Sequence, residues 1–586
     1  MALTKVSFSM IDGAYFNVLD YGAVADGTTE DTVAFDLAIA AAAVGGGTVF
    51  VPSGTYYVDR VDMSSDVALV GELGSVLKRK GNIIIGVTYD GAIVDNVRIE
   101  NIEFDNNAPS GPSAIWKICM YIANATNVTV SNCHFYNGYD ISIKAQGPDG
   151  IYIETGASGR NSILIENCLI EQFTRNGISI TDGANDVTIT GCTFKDCGLF
   201  GVDVESDAGD ATYARNITVE NCDFINNGNF AIREEATVTG GLSFGSPNPV
   251  TAYHNLNTRV SGCYFKTTTA TNATGITYLS ISSTFNMIVT DCIFDIPDTG
   301  SDHSVTFDTG SFESENGIVS NNVFRVRVES YTFGSFKFHG NTLNGSLAYL
   351  VMAGLGTGKL ISGNNFFNAG DITHPIIQAY SRALTISDNS FRDTRILGVA
   401  PAAVLQIAGA SAGTTLFTLD AVISNNNVFG EYGSFVNMSG GSSAYGLKNV
   451  KFNGNRITFT EFGVKLNSSG TRPNSFAIDI ENNTFTDLTG TALYLFRVSG
   501  LKVNGNSFYN CSTNTNVILL SECSNYMANS NIVNDTRSGG ARATYAINAS
   551  GNPTPSALLS SNLSVNTQSG FTIAGGEGTV ANNTTY

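Results

Sequence analysis

Three short segments of the chain share one pattern: Gly177-Ile178-Ser179-Ile180-Thr181, Gly201-Val202-Asp203-Val204-Glu205 and Ala231-Ile232-Arg233-Glu234-Glu235. Read as strands, they send Ile178/Ile180 and Val202/Val204 to one face, and Ser179/Thr181, Asp203/Glu205 and Arg233/Glu235 to the other. If the segments stack, Glu205 and Glu235 stand one strand apart, about 5 Å, and Asp203 to Glu235 is a diagonal of roughly 8 Å. Cleaving an acetal by hydrolysis needs one carboxylic acid to protonate the leaving oxygen and a second carboxylate as nucleophile or base. The shorter spacing suits a nucleophile, the longer one a base acting through water, and the pattern leaves both open. Crowded carboxylates raise one another's pKa, whereas Arg233 holds a neighbour ionised. Glu234 falls at a nominally inward position and marks a local slip of the register.

The segments around this cluster support it. Long gaps at 145–160, 206–215 and 236–257 are expected to be loops that follow these strands and wall a groove. They carry Tyr152, Tyr213, Tyr253 and His254, whose flat faces suit stacking on sugar rings. A second acidic cluster, Asp298, Asp302, His303, Asp308 and Glu313, follows two to three repeats later. His134 lies between inward-facing Cys133 and Phe135 and so points out. The histidines are scattered, and no metal-ligand set emerges. Gly45, Gly46 and Gly47 are followed by no Lys-Ser/Thr, so they read as a helix stop, and no cofactor motif is present.

The elements that must position these residues come from an internal repeat. Asn127-Val-Thr-Val-Ser-Asn-Cys-His-Phe135 recurs as SILIENCLI at 162–170, DVTITGCTF at 186–194, NITVENCDF at 216–224 and AIDIENNTF at 477–485. Two alternating apolar residues make a short strand. A kink then falls on Asn101, Asn132, Asn167, Gly191, Asn221, Gly262, Asp291, Asn321, Gly340, Gly363, Asp388, Asn426, Gly454, Asn482 and Gly505, residue types that tolerate left-handed backbone. A second strand, a polar turn and a third strand complete one coil. The pattern predicts an all-β, single-stranded, right-handed parallel β-helix of about eighteen coils with three short strands each, stacked about 4.8 Å apart. After the kink come Cys133, Cys168, Cys192, Cys222, Cys263 and Cys292, then Asn322, Asn341, Asn364, Asn389, Asn427, Asn455, Asn483 and Asn506. Like stacks on like: the cysteines as small buried filler, the asparagines as an amide ladder.

Composition agrees. With 62 Gly and only 14% charged residues in 586, the chain is turn-rich and large enough for a substantial core. Fifty-one acids against 31 bases give a net charge of −20, which disfavours nucleic acid and anionic membranes as partners. No apolar run reaches the roughly 18 residues of a membrane span, so membrane insertion is not expected. Ten cysteines without an apolar leader in MALTKVSFSMIDG point to synthesis in a reducing cytosol.

Before the coils, Thr29-Glu30-Asp31-Thr32 opens an Ala-rich amphipathic stretch predicted as a helix over about 30–44, with an N-cap hydroxyl and first-turn acids. It is expected to plug the open end of the β-helix, within an N-terminal entry and cap region, 1–95, ahead of a β-helix body, 96–586. Asn17-Val18-Leu19-Asp20-Tyr21-Gly22-Ala23, Asp26-Gly27, Asp31-Thr32, Ala34, Gly47-Thr48-Val49 and Pro52-Ser53-Gly54-Thr55-Tyr56 resemble the N-terminal motif of pectate-lyase-like β-helix proteins. With the preceding KVSFSMI, the resemblance is strongest to bacteriophage tailspikes and capsule depolymerases. Glu30 stands where that family usually has Asp. The motif is specific for fold and much less so for chemistry.

The resemblance implies a homotrimer on the virion tail, made in the host cytoplasm, that meets other tail proteins and binds and cuts bacterial surface polysaccharide. A virion-attachment domain usually precedes the motif in that group, so its absence implies truncation or attachment through another protein. The function expected is an endo-acting glycoside hydrolase on capsule or O-antigen. Two alternatives stand beside it: a polysaccharide lyase in which Asp203, Glu205 and Glu235 bind Ca²⁺ and Arg233 is the base, and a non-catalytic glycan-binding adhesin.

Overall fold

The computed structural model describes residues 15–87, 93–108, 117–140, 148–154, 161–181, 183–205, 214–228, 241–244, 255–267, 277–281, 284–295, 304–307, 316–330, 335–352, 358–379, 383–395, 401–407, 418–440, 447–468, 475–513, 515–538, 541–551, 557–573 and 579–586. Two compact units divide the chain, Met1–Ser314 and Glu315–Tyr586. Each is a right-handed parallel β-helix with three sheets. No helix of the described residues is long and apolar enough to cross a membrane.

In the first unit each coil contributes one strand to each sheet. Ala125–Ser131 stacks on Val94–Glu100 and under Ile163–Glu166, with Val128 opposite Val97 and Ile163. The kinks form as the residue types require: Asn101, Asn132, Asn167, Gly191, Asn221, Gly262 and Asp291 all have φ between 53° and 63°. Behind them Cys133, Cys168, Cys192, Cys222, Cys263 and Cys292 are buried, and all ten cysteines of the chain are free thiols. Phenylalanines stack two residues further on: Phe194, Phe224, Phe265 and Phe294 have successive ring centroids 5.0, 4.7 and 4.6 Å apart.

The helix Thr32–Ala43 buries Ala34, Phe35, Ala38, Ile39 and Ala42, with Phe35 edge-on to Tyr56 at 5.4 Å. Its start differs from the expected hydroxyl cap. Asp31 occupies the N-cap without capping the helix by its side chain, and its carboxylate instead accepts from the backbone N–H of Val24 (2.6 Å) and Ala25 (3.3 Å). Thr28 and Thr29 belong to the strand Asp26–Glu30 and are held by Asp26.

In the second unit the interior position after the kink belongs to asparagine. Asn322, Asn341, Asn364, Asn389, Asn426, Asn455, Asn483, Asn506, Asn531, Asn562 and Asn583 form one continuous ladder. Each Nδ2 donates to the next Oδ1 at 2.8–3.2 Å. One copy is shifted from its expected register: within Asn425-Asn426-Asn427 the left-handed residue is Asn425 (φ 55°), so Asn426, not Asn427, enters the ladder. Three consecutive asparagines offer no local cue, and hydrogen bonding to the coils on either side decides. Two later kinks fall on Ser530 and Ser561, a residue type outside the Gly/Asn/Asp set.

Candidate functional site

The third strands of the first unit carry the expected acids but stack differently from the expected register. Asp149–Ile153, Ile178–Ile180, Val202–Val204 and Leu242–Phe244 pair in succession, setting Tyr152, Ser179, Asp203 and Ser243 in one row. The strand above Asp203 is therefore 242–244 and not 231–235. The physical reason is legible. Gly241-Leu-Ser-Phe244 repeats the Gly-apolar-polar-apolar pattern of Gly177-Ile-Ser-Ile180, whereas Ala231-Ile-Arg-Glu-Glu235 would turn Glu234 into the core. For the same reason Tyr152 lies on a strand inside the 145–160 segment, and 242–244 is a strand inside 236–257.

Arg233, Glu235, Tyr213, Tyr253, His254, Asp302, His303 and Asp308 lie outside the described residues, as does Trp116. His134 points outward as expected, with Nε2 3.1 Å from Glu171 and its ring stacked on Tyr136.

Around Asp203 the structure assembles groups that sequence reasoning did not single out. Val202 and Val204 fill the interior, so Asp203 is on the outer face, yet only 2% of it is exposed. Asn176 Nδ2 donates to Asp203 Oδ2 (3.3 Å) and to Ser179 Oγ (3.0 Å), and Ser179 Oγ donates to Asp149 Oδ2 (3.1 Å). Arg175 grips Asp149 with two nitrogens, Nε at 3.1 Å and Nη2 at 3.0 Å. Asp149 and Asn176 each precede a glycine that opens a third strand. At Gly177 an added Cβ would sit 2.6 Å from the Gly201 carbonyl, so only glycine lets the coils close at this corner. An Asp-Gly or Asn-Gly pair ahead of an apolar-polar-apolar triplet was the available signal.

The electrostatics follow from burial. Desolvation, then the hydrogen bond and charge of Glu205, push Asp203 well above the usual carboxylic-acid range, against the opposing pull of Arg175 and Ser243. Burial alone would lower Arg175, but the carboxylates of Asp149, Glu205 and Asp203 outweigh it and hold its guanidinium charged. The result is a carboxyl pair that retains a proton, with half-buried Glu205 as its outer member, beside a fixed cation. One coil before Ser179, Tyr152 packs against Tyr121 with centroids 5.9 Å apart, and Thr181 Oγ1 donates to the Tyr152 hydroxyl (3.3 Å). Among the described residues no three His, Cys, Asp or Glu side chains converge as metal ligands.

Comparison with known proteins places this site in a family context. Residues 15–228 match the model described as rhamnogalacturonase A/epimerase, pectate lyase-like. The SPbeta prophage-derived protein YomE of Bacillus subtilis (strain 168) is 27% identical over 180 residues, 29% of this chain and 26% of that protein. Alginate lyase 7 of Azotobacter vinelandii is 54% identical over 56 residues, 9% of this chain and 6% of its own length. The chain thus spans about a quarter or less of these relatives. A solved tailspike protein, gp49 of Acinetobacter baumannii bacteriophage Fri1, a capsular polysaccharide depolymerase, aligns with a TM-score of 0.33 at 13% identity, covering 76% of this chain and 63% of that one. Asp149, Arg175, Asp203 and Glu205 all lie within residues 15–228, the part of the chain that matches the pectate-lyase-like model.

Proposed function

We propose that this chain is a tailspike-type depolymerase, an endo-acting glycosidase of bacterial surface polysaccharide that works as a homotrimer on a virion tail. The observation that carries the reading is Asp203, buried on the outer face of the third sheet with half-buried Glu205 two residues on, and held by Asn176 beside the Ser179–Asp149–Arg175 network. The pectate-lyase-like match and the prophage-derived relative support the substrate class and the phage setting. Asp203 stores the proton, and Glu205 presents it to the glycosidic oxygen as the bond to the anomeric carbon breaks. The second carboxylate is a separate residue, and Glu235, the sequence reading's candidate, lies outside the described residues. Tyr152 offers a stacking face one coil before Ser179, and Tyr213, Tyr253 and His254, outside the described residues, are the further stacking candidates of the sequence reading.

The test is to digest a panel of purified capsules and O-antigens and identify the new chain ends by mass. Ends that have gained water, lost in Glu205→Gln, support the hydrolase. An ultraviolet-absorbing double bond in the product would replace it with a lyase, and binding without shortening would replace it with an adhesin.

A further inference from the structure

We propose a second carbohydrate-binding site, for neutral glycan chains, on the third sheet of the unit Glu315–Tyr586. It is separate from the acid pair and stands whether or not that pair cleaves anything.

The strands Ile377–Ala379, Leu405–Ile407, Ser434–Gly440, Phe462–Ser468 and Leu493–Phe496 stack so that Gln378, Gln406, Asn437, Lys465 and Tyr494 form one outward row. An open groove of about 350 Å³ lies over part of this row, with Asn437 and Lys465 among its lining, Phe462 and Pro401 as apolar walls, and Glu431 and Glu461 at the corner. Lys465 Nζ lies 4.2 Å from the Phe462 ring centroid. Three facts point to a ligand. Gln406, Asn437 and Lys465 are half-buried, and no hydrogen bond joins their side chains to any described residue, so each carries unused polar capacity, whereas Asp149, Asn176 and Ser179 in the first unit bond one another. Amides supply donor and acceptor together, which matches vicinal hydroxyl groups, and the Phe462 wall matches the apolar face of a sugar ring. Finally, the row repeats every 4.8 Å or so, the coil spacing, which is close to the length of one pyranose along a chain. Glu431 and Glu461 line the same groove as Lys465, its one cation among the described residues, and disfavour an acidic polymer, so the ligand class is neutral.

Affinity electrophoresis of the full chain through native gels containing a linear β-glucan, a galactomannan or polygalacturonate tests this. A neutral polysaccharide should retard the protein. Gln406→Ala, Asn437→Ala and Phe462→Ala should each weaken that retardation about two- to tenfold, with thermal unfolding unchanged, while Glu205→Gln leaves it intact. Absence of retardation by both neutral polymers, retardation by polygalacturonate alone, or retardation of all three variants equal to that of the unaltered chain would overturn the proposal. Loss of cleavage without loss of retardation in Glu205→Gln separates this site from the acid pair.

Discussion

Asp203 shows how one residue's surroundings set its chemistry. An aspartate on the outer face of a strand would ordinarily be ionised at neutral pH, but here burial by the neighbouring coils and the adjacent Glu205 carboxylate push its pKa well up. The folded state binds that proton more tightly than the unfolded chain. Its contribution to stability is therefore complete below about pH 4, the unfolded value, and is lost as pH rises through the raised folded value. Asp203→Asn should flatten this part of the pH–stability curve and move the alkaline limb of the activity profile to lower pH, readable from unfolding midpoints and rates across pH. Glu205→Gln should leave the fold intact and lower kcat by about 10²–10⁴. Neither expectation follows from the spacing of carboxylates alone, because the segment that stacks on Val202–Val204 is 242–244 and not the expected 231–235.

At the scale of elements, each coil is closed by a kink whose residue type depends on the coil before it. At Gly191 an added Cβ would sit 2.6 Å from Asn167 Oδ1, and at Gly340 and Gly505 it would meet the same atom of Asn321 (2.6 Å) and Asn482 (2.8 Å). At these three kinks the preceding asparagine's amide oxygen occupies the space an added Cβ would take, although Asn132 and Asn167 also follow asparagine kinks. Gly363 follows a glycine and has only the Gly340 backbone nitrogen, at 3.9 Å, within reach. Gly191→Ala should therefore cost about 1–3 kcal/mol, whereas Gly363→Asn should fall within about 0.5 kcal/mol of wild type; chemical denaturation distinguishes them. The asparagine ladder is equally cooperative. Asn455→Ala would strand the Ile423 carbonyl and the donors of Asn426, and should cost about 2–5 kcal/mol.

For the whole molecule, the cysteine ladder of one unit and the asparagine ladder of the other meet the same interior position with different chemistry. Burial pushes the thiols of Cys119 and Cys511 up to about 12 and that of Cys523 to about 11. The native protein should then resist alkylation until denaturant is added, with an unfolding midpoint indifferent to reductant, since all ten thiols are free. The parallel β-helix itself was legible in the amino-acid sequence. A period of strand, kink and strand is a local pattern written many times, and repetition corrects a slip in any one copy. Both ladders were legible for the same reason, apart from one position in Asn425-Asn426-Asn427, and the helix Thr32–Ala43 was legible from its own local run of alanines. The site was not, because it is made once. Which segment stacks on Val202–Val204, and that Arg175 and Asn176 fold over Asp203, depend on contacts between residues 24 to 40 positions apart. Only the closed coils bring those groups together and exclude the water that would otherwise keep Asp203 ionised.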